Sequence, residues 1–219
     1  MSSSNENIVS FHIAGDAFVD FFCFLDGDWP ENGGDSRLEQ PVKAYAGGSA
    51  TNTATHLKSL VCHFMDQKPQ VKLHTVLNPN DHYGELLIQH AKDHEFPIVN
   101  CLRENDTSST GHCIAIVSGG ERSFMTHQGS MQNFAVDDLD LTSIISTETN
   151  LHCHVAGFYN IPGEFLIDVF DSKVAFLLQN LTLRTTEKVS GTENSSRRSR
   201  KSADNGKSSF QTRIRLYRS

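Results

Sequence analysis

The sequence predicts an α/β fold: a mostly parallel sheet with helices on both faces, a small β appendage, and a disordered basic tail. Three observations carry that expectation. Apolar, β-branched runs alternate with segments of helical period between residues 7 and 178. A glycine-turned hairpin pattern at 110–127 interrupts the alternation. Beyond residue 183 no period survives, and the charge changes sign: residues 182–219 hold ten Lys/Arg against three Asp/Glu, whereas residues 1–181 hold nine against 23.

Taken in order, residues 7–14 (N-I-V-S-F-H-I-A) alternate like a strand and run into Gly15-Asp16, a loop on the ligand side of the sheet. Asp20 follows among Phe18, Phe21, Phe22 and Phe24, where an unpaired acid is costly to bury, so it either faces solvent on an edge strand or has a partner or ligand. Residues 26–40 read as loop and 41–46 as a short strand. Gly47-Gly48 then opens a helix through Leu57, Leu60, Val61 and Phe64, with Ser49 or Thr51 as its cap. A β-branched run at 71–77 is the next strand. Asn78-Pro79-Asn80-Asp81 is a turn and cap for a helix at 83–94, and 97–102 is another strand. Residues 110–118 and 122–127 form the hairpin about Gly119-Gly120-Glu121. A helix at 136–145 started by Asp137 and Asp138, a strand at 151–158, a helix at 163–170 and a strand from 173 to 178 complete the pattern.

At 219 residues the chain can bury one sizeable core, or one domain plus a tail. The mean hydropathy of -0.37 reflects the polar C-terminal segment. The five cysteines are scattered without C-x-x-C spacing, residues 1–7 are polar, and no run approaches 18 apolar residues. A reduced, soluble, cytoplasmic protein without a membrane segment is the expectation, in which the Asn-x-Ser/Thr triplets at Asn105, Asn180 and Asn194 go unmodified.

The stretch Gly47-Gly48-Ser49-Ala50-Thr51-Asn52 has the chemistry of a binding loop. Adjacent glycines bring main-chain N–H groups close to a ligand, the helix start seats polar oxygens, and the Asn52 amide donates and accepts at once. Set beside Gly15 and Asp20, Asn80-Asp81-His82-Tyr83-Gly84, Thr110 with Gly120-Glu121-Arg122-Ser123-Phe124, and Gly129, it resembles the ribokinase-like (PfkB) carbohydrate kinases in motif and order. The resemblance covers residues 8–162 and implies ATP-dependent phosphoryl transfer to a sugar or nucleoside hydroxyl, with ATP and Mg²⁺ as cofactors. It implies that Asp20, Gly47, Gly48 and Asn52 hold the acceptor's hydroxyls, that Asn160 contacts the sugar, and that 17–46 and 110–128 form a β-sheet lid.

The family's catalytic signature, Asp-Thr-x-Gly-Ala-Gly-Asp, does not occur in the chain, so neither the general base nor the anion hole is supplied. Its loss removes several orders of magnitude in rate, about 10²–10⁴-fold for the base alone. Two readings therefore stand: residues 1–181 as the acceptor half of a kinase cut short in mid-strand, or a non-catalytic fragment or binding module that dimerises through its lid. Half of such a sheet predicts marginal stability for the chain alone.

Other constellations weigh less. His152 and His154 share a strand face while Cys153 points away, leaving two converging ligands. His90 and His94 have helical zinc spacing but no third ligand, and Asp137, Asp138 and Asp140 read as helix-start acids rather than a Mg²⁺ site. The Arg197-Arg198-Ser199-Arg200-Lys201 run reads as a solvated tail rather than a nucleic-acid tether, lacking interleaved aromatics.

Overall fold

The computed structural model describes residues 9–65, 69–140, 150–157 and 159–162. Among the described residues, eight strands form two four-stranded sheets. The first is wholly parallel, in the order β5 (Ile98–Asn100), β4 (Gln70–Thr75), β1 (Val9–Gly15), β8 (Asn150–Ala156). The second runs β3 (Lys43–Gly47), β2 (Phe18–Phe24), β6 (His112–Ser118), β7 (Glu121–His127). In it β2 and β6 are parallel, and the other two pairings are antiparallel. The sequence expectation of an α/β fold with a small β appendage is met.

Alternation sorts the parallel sheet into two unlike faces. Phe11 and Ile13 of β1 lie level with Val71 and Leu73 of β4, and α1 (Ser49–Phe64) and α2 (His82–Asp93) both pack on that face. Ala14 and Val155 turn to the other face, against Met131, Phe134, Val136, Leu139 and Ile161. The described cover there consists of two short 3-10 turns, Gly129–Asn133 and Val136–Asp138, and the helix expected at 163–170 lies outside the described residues.

α1 departs from the expected apolar face. Leu60 and Phe64 are 53% and 75% exposed, while the buried positions are Ala50, Thr51, Ala54 and Val61. Small residues let the helix axis approach the sheet, and Leu60 and Phe64 fall outside that contact because 3.6-residue geometry turns them away. The helix expected at 136–145 is also corrected over its described part: the turn ends at Asp138, and Leu139 is extended at φ -90°, ψ 122°. The Asp138 carboxylate accepts from Ala135 N at 2.8 Å and pairs with Arg103 through two bonds of 2.8 and 3.1 Å, closing the turn so that Leu139 can bury. Residues 141–149 lie outside the description.

The hairpin of β6 and β7 is closed by Gly119 and Gly120 at φ +57° and +82°. Positive φ at both central positions matches the twist of the flanking strands. Its inner end is tied to the core through Asp81, the N-cap of α2, which accepts from Gly84 N at 2.7 Å. The same carboxylate accepts from Thr110 N at 2.7 Å and from Thr110 Oγ1 at 2.9 Å, and Thr110 Oγ1 in turn accepts from Asn78 N at 2.9 Å. The expected cap is therefore also the clamp at the base of the second sheet.

Candidate functional site

β1 ends at Gly15 and β2 starts at Phe18, so Asp16 and Ala17 bridge the two sheets. Asp16 is wholly buried. A buried carboxylate must be supplied with donors. Ala50 N donates to Oδ1 at 3.0 Å, and Asn160 Nδ2 donates to Oδ2 at 2.7 Å. Thr51 N reaches the Asp16 main-chain oxygen at 3.4 Å.

These bonds correct the expected cap of α1. The N-cap is Gly48, at φ +90°, and no side chain of that turn caps the helix. A Cβ on Gly48 would stand 2.6 Å from the Asp16 main-chain oxygen, so glycine is required and cannot itself cap. Asp16 supplies the missing oxygen from 34 residues away. Ser49 is exposed, and Thr51 is buried with its Oγ1 unpartnered.

Asp20 lies on β2 between Tyr45 of β3 and Cys113 of β6, so the edge-strand placement is excluded: β2 is interior. Its half-buried carboxyl abuts Gly47 so closely that a Cβ there would overlap it. Burial, and then the nearby Asp16 charge, push the Asp20 carboxyl above its ordinary value. Phe22, the next residue on the same face, packs edge-on against Tyr45 with ring centroids 5.8 Å apart. An acid beside an apolar ring pair suits a ligand with both hydroxyls and a flat apolar face.

The structure thus draws Asp20, Gly47 and Gly48 to the junction where Asp16 sits, and binds Asn160 to it. Asn52 lies on the first turn of α1, its N–H bonded to Gly48 O at 3.0 Å and its side chain exposed. Asp16 and Gly157 escaped sequence reasoning. Gly157, at φ +80°, leaves room that a Cβ would take from the Asp16 carboxyl. The available signals were an acid directly after the first strand's glycine and a glycine just after β8.

Several residues of the rival constellations make ordinary contacts. His90 Nε2 meets Thr55 Oγ1 at 2.9 Å, and its ring lies 4.4 Å from that of His94. His152 packs on Phe11, and Asp138 is committed to Arg103. Among the described residues no three His, Cys, Asp or Glu converge as a metal site, and no helix is long and apolar enough to cross a membrane. The Arg197 to Lys201 run lies outside the described residues.

A family model for pfkB family carbohydrate kinases matches residues 6–187. The chain belongs to that family. Among solved structures this pfkB chain is similar to ribokinase from Giardia lamblia, with a TM-score of 0.59 and 16% identity over 76% of this chain and 51% of that one. It is similar also to ribokinase from Cryptococcus neoformans in complex with ADP, at 0.51 and 17% over 78% and 45%. A carbohydrate kinase from Agrobacterium tumefaciens gives 0.53 and 16% over 73% and 48%. At these identities the likeness is one of fold, and the chain spans about half the length of the structures it matches. No curated protein matches the sequence.

Proposed function

We propose that residues 1–181 are the acceptor-binding half of an ATP-dependent sugar or nucleoside kinase that acts in the cytoplasm, with 182–219 a separate basic segment. The observation that carries the reading is the contact of the Asp20 carboxyl with Gly47, one residue from the N-cap of α1. Asp20 accepts from the acceptor's hydroxyls. Main-chain groups at Gly47 and Gly48 close on the ligand, Asn52 offers an amide, and Phe22 and Tyr45 cover the apolar face of a sugar ring or base. The β-sheet lid is the second sheet, whose base Asp81 and Thr110 fasten to α2.

ATP and Mg²⁺ are the cofactors of the reading. The sequence has no Gly-Ala-Gly-Asp loop to form an anion hole or supply a base. The chain therefore binds the acceptor without transferring phosphate to it at any useful rate. The test is a thermal-shift and calorimetric screen against sugars and nucleosides, run beside an ATP turnover assay. A midpoint raised by one class of hydroxylated ligand, with no turnover, is the expected result, since only ligands of the native state raise it. Robust turnover, or no shift with any sugar or nucleoside, refutes the reading.

A second, non-catalytic reading has its own observation. Among the described residues, both outer strands of the second sheet, β3 and β7, have an edge that pairs with no other strand, and Phe124 and Met125 of β7 are exposed. Such edges recruit another strand, and a homodimer through the lid would cover them. Sedimentation at several concentrations, with Phe124→Lys as the disrupting variant, tests it.

A further inference from the structure

We propose that Asp16 is the positioning residue of this site: by anchoring Asn160 and the first turn of α1, it makes the junction of the two sheets present hydrogen-bond acceptors, and so selects ligands through their hydroxyl donors. The inference rests on the acceptor-binding reading above and adds a residue and a rule of selection to it.

An ionised carboxylate only accepts, so Asn160 must turn its Nδ2 toward Asp16, and the 2.7 Å bond is the result. That leaves the Asn160 carbonyl Oδ1 as the group free to meet a ligand. Asp20, the other side chain at the junction, is also an acceptor. A ligand that brings hydroxyl protons satisfies both. One that brings a carbonyl or ether oxygen leaves two acceptors facing it unpaired, which sites of this kind reject strongly.

The surroundings hold Asp16 in this role. It has no solvent exposure, and Gly48 and Gly157 lie so near that a side chain on either would overlap it. Its Oδ1 is spent on Ala50 N and its Oδ2 on Asn160, so it has little freedom to touch a ligand itself. The effect on Asp20 is electrostatic: the Asp16 charge adds to burial in raising that carboxyl.

The test exchanges the two side chains. In Asp16→Asn the amide oxygen still accepts from Ala50 N, but the new NH₂ faces Asn160 and forces that side chain to flip, turning its own NH₂ toward the ligand. Ribose, fructose and adenosine, whichever the wild type binds, are expected to bind at least about tenfold more weakly, the worth of roughly one hydrogen bond. In Asp16→Asn/Asn160→Asp the bond is restored with its donor and acceptor exchanged, and residue 160 again offers an oxygen to the ligand. Binding is expected to return to within about threefold of wild type. Unimpaired binding in the single variant, or equal weakness in both, overturns the proposal.

A measurement on the ligand-free full chain separates this from the fate of the acceptor reading. Carboxyl and side-chain amide NMR should show Asp20 titrating at lower pH in Asp16→Asn, and the Asn160 NH₂ resonances displaced. If neither moves, Asp16 has no positioning role, whatever the wild type binds. If both move but the wild type binds none of the probes, the positioning role stands and the acceptor reading falls.

Discussion

Replacing Asp81 by Ala should loosen the second sheet more than it damages the helix that Asp81 caps. The carboxylate closes three bonds: one caps α2 at Gly84 N, and two hold the buried Thr110 at the base of the second sheet. Losing an N-cap costs about 1 kcal/mol. Each of the two bonds from Thr110 to a charged acceptor is worth about 1.5 kcal/mol at the low end. The sum is about 4 kcal/mol, a large share of the 5–15 kcal/mol typical of a domain. With a urea slope of about 2 kcal/mol/M, the midpoint should fall by about 2 M. Trp29, the single tryptophan, lies in the segment joining β2 to β3 and reports the second sheet. Far-UV circular dichroism reports α1 and α2. The Trp29 transition should move to lower urea than the helical one. Asp81→Asn keeps the Gly84 cap but sets an NH₂ against Thr110 N, and should cost about half as much. A loss below about 1 kcal/mol in Asp81→Ala would refute the reasoning, because it would mean that the Thr110 donors find other partners.

Further outcomes follow from the same geometry. Gly47→Ala places a methyl in the Asp20 carboxyl, so it should cost about 1–3 kcal/mol by overpacking and abolish any ligand-induced thermal shift. Gly120→Ala meets open space and should cost only about 1 kcal/mol through its positive φ, with ligand response intact; urea melts compare the two. Burial, and then His94, lower the His90 pKa, so folding favours the neutral ring. Its contribution is present above the ordinary histidine pKa and lost as pH falls through and below it. His90→Gln should flatten the fall in melting temperature between about pH 7.5 and 5.5, and an unchanged slope would discount that residue. Leu60→Lys and Phe64→Lys should each shift stability by no more than about 0.5 kcal/mol, since both side chains are exposed in α1; a loss above about 2 kcal/mol would mean that they are covered.

What the sequence determined by itself was whatever depends on neighbours a few residues apart. The strands at β1, β4 and β8, the existence of α1 and α2, the two-glycine turn of the hairpin and the Asp81 cap read correctly, because turn chemistry and side-chain alternation are local. The family motifs added the expected pairing of Asp20 with Gly47, which no periodicity could supply. Only the tertiary structure decided that β2 is an interior strand, that small residues rather than Leu60 and Phe64 seat α1, and that the turn at Val136 stops at Asp138 to meet Arg103. It also decided the cap of α1. Ser49 and Thr51 were the local candidates, but the oxygen comes from Asp16, which is bonded as well to Asn160, 144 residues away. A buried carboxylate is satisfied by whichever donors the packed chain brings within 3 Å, and the order of residues does not state which those are.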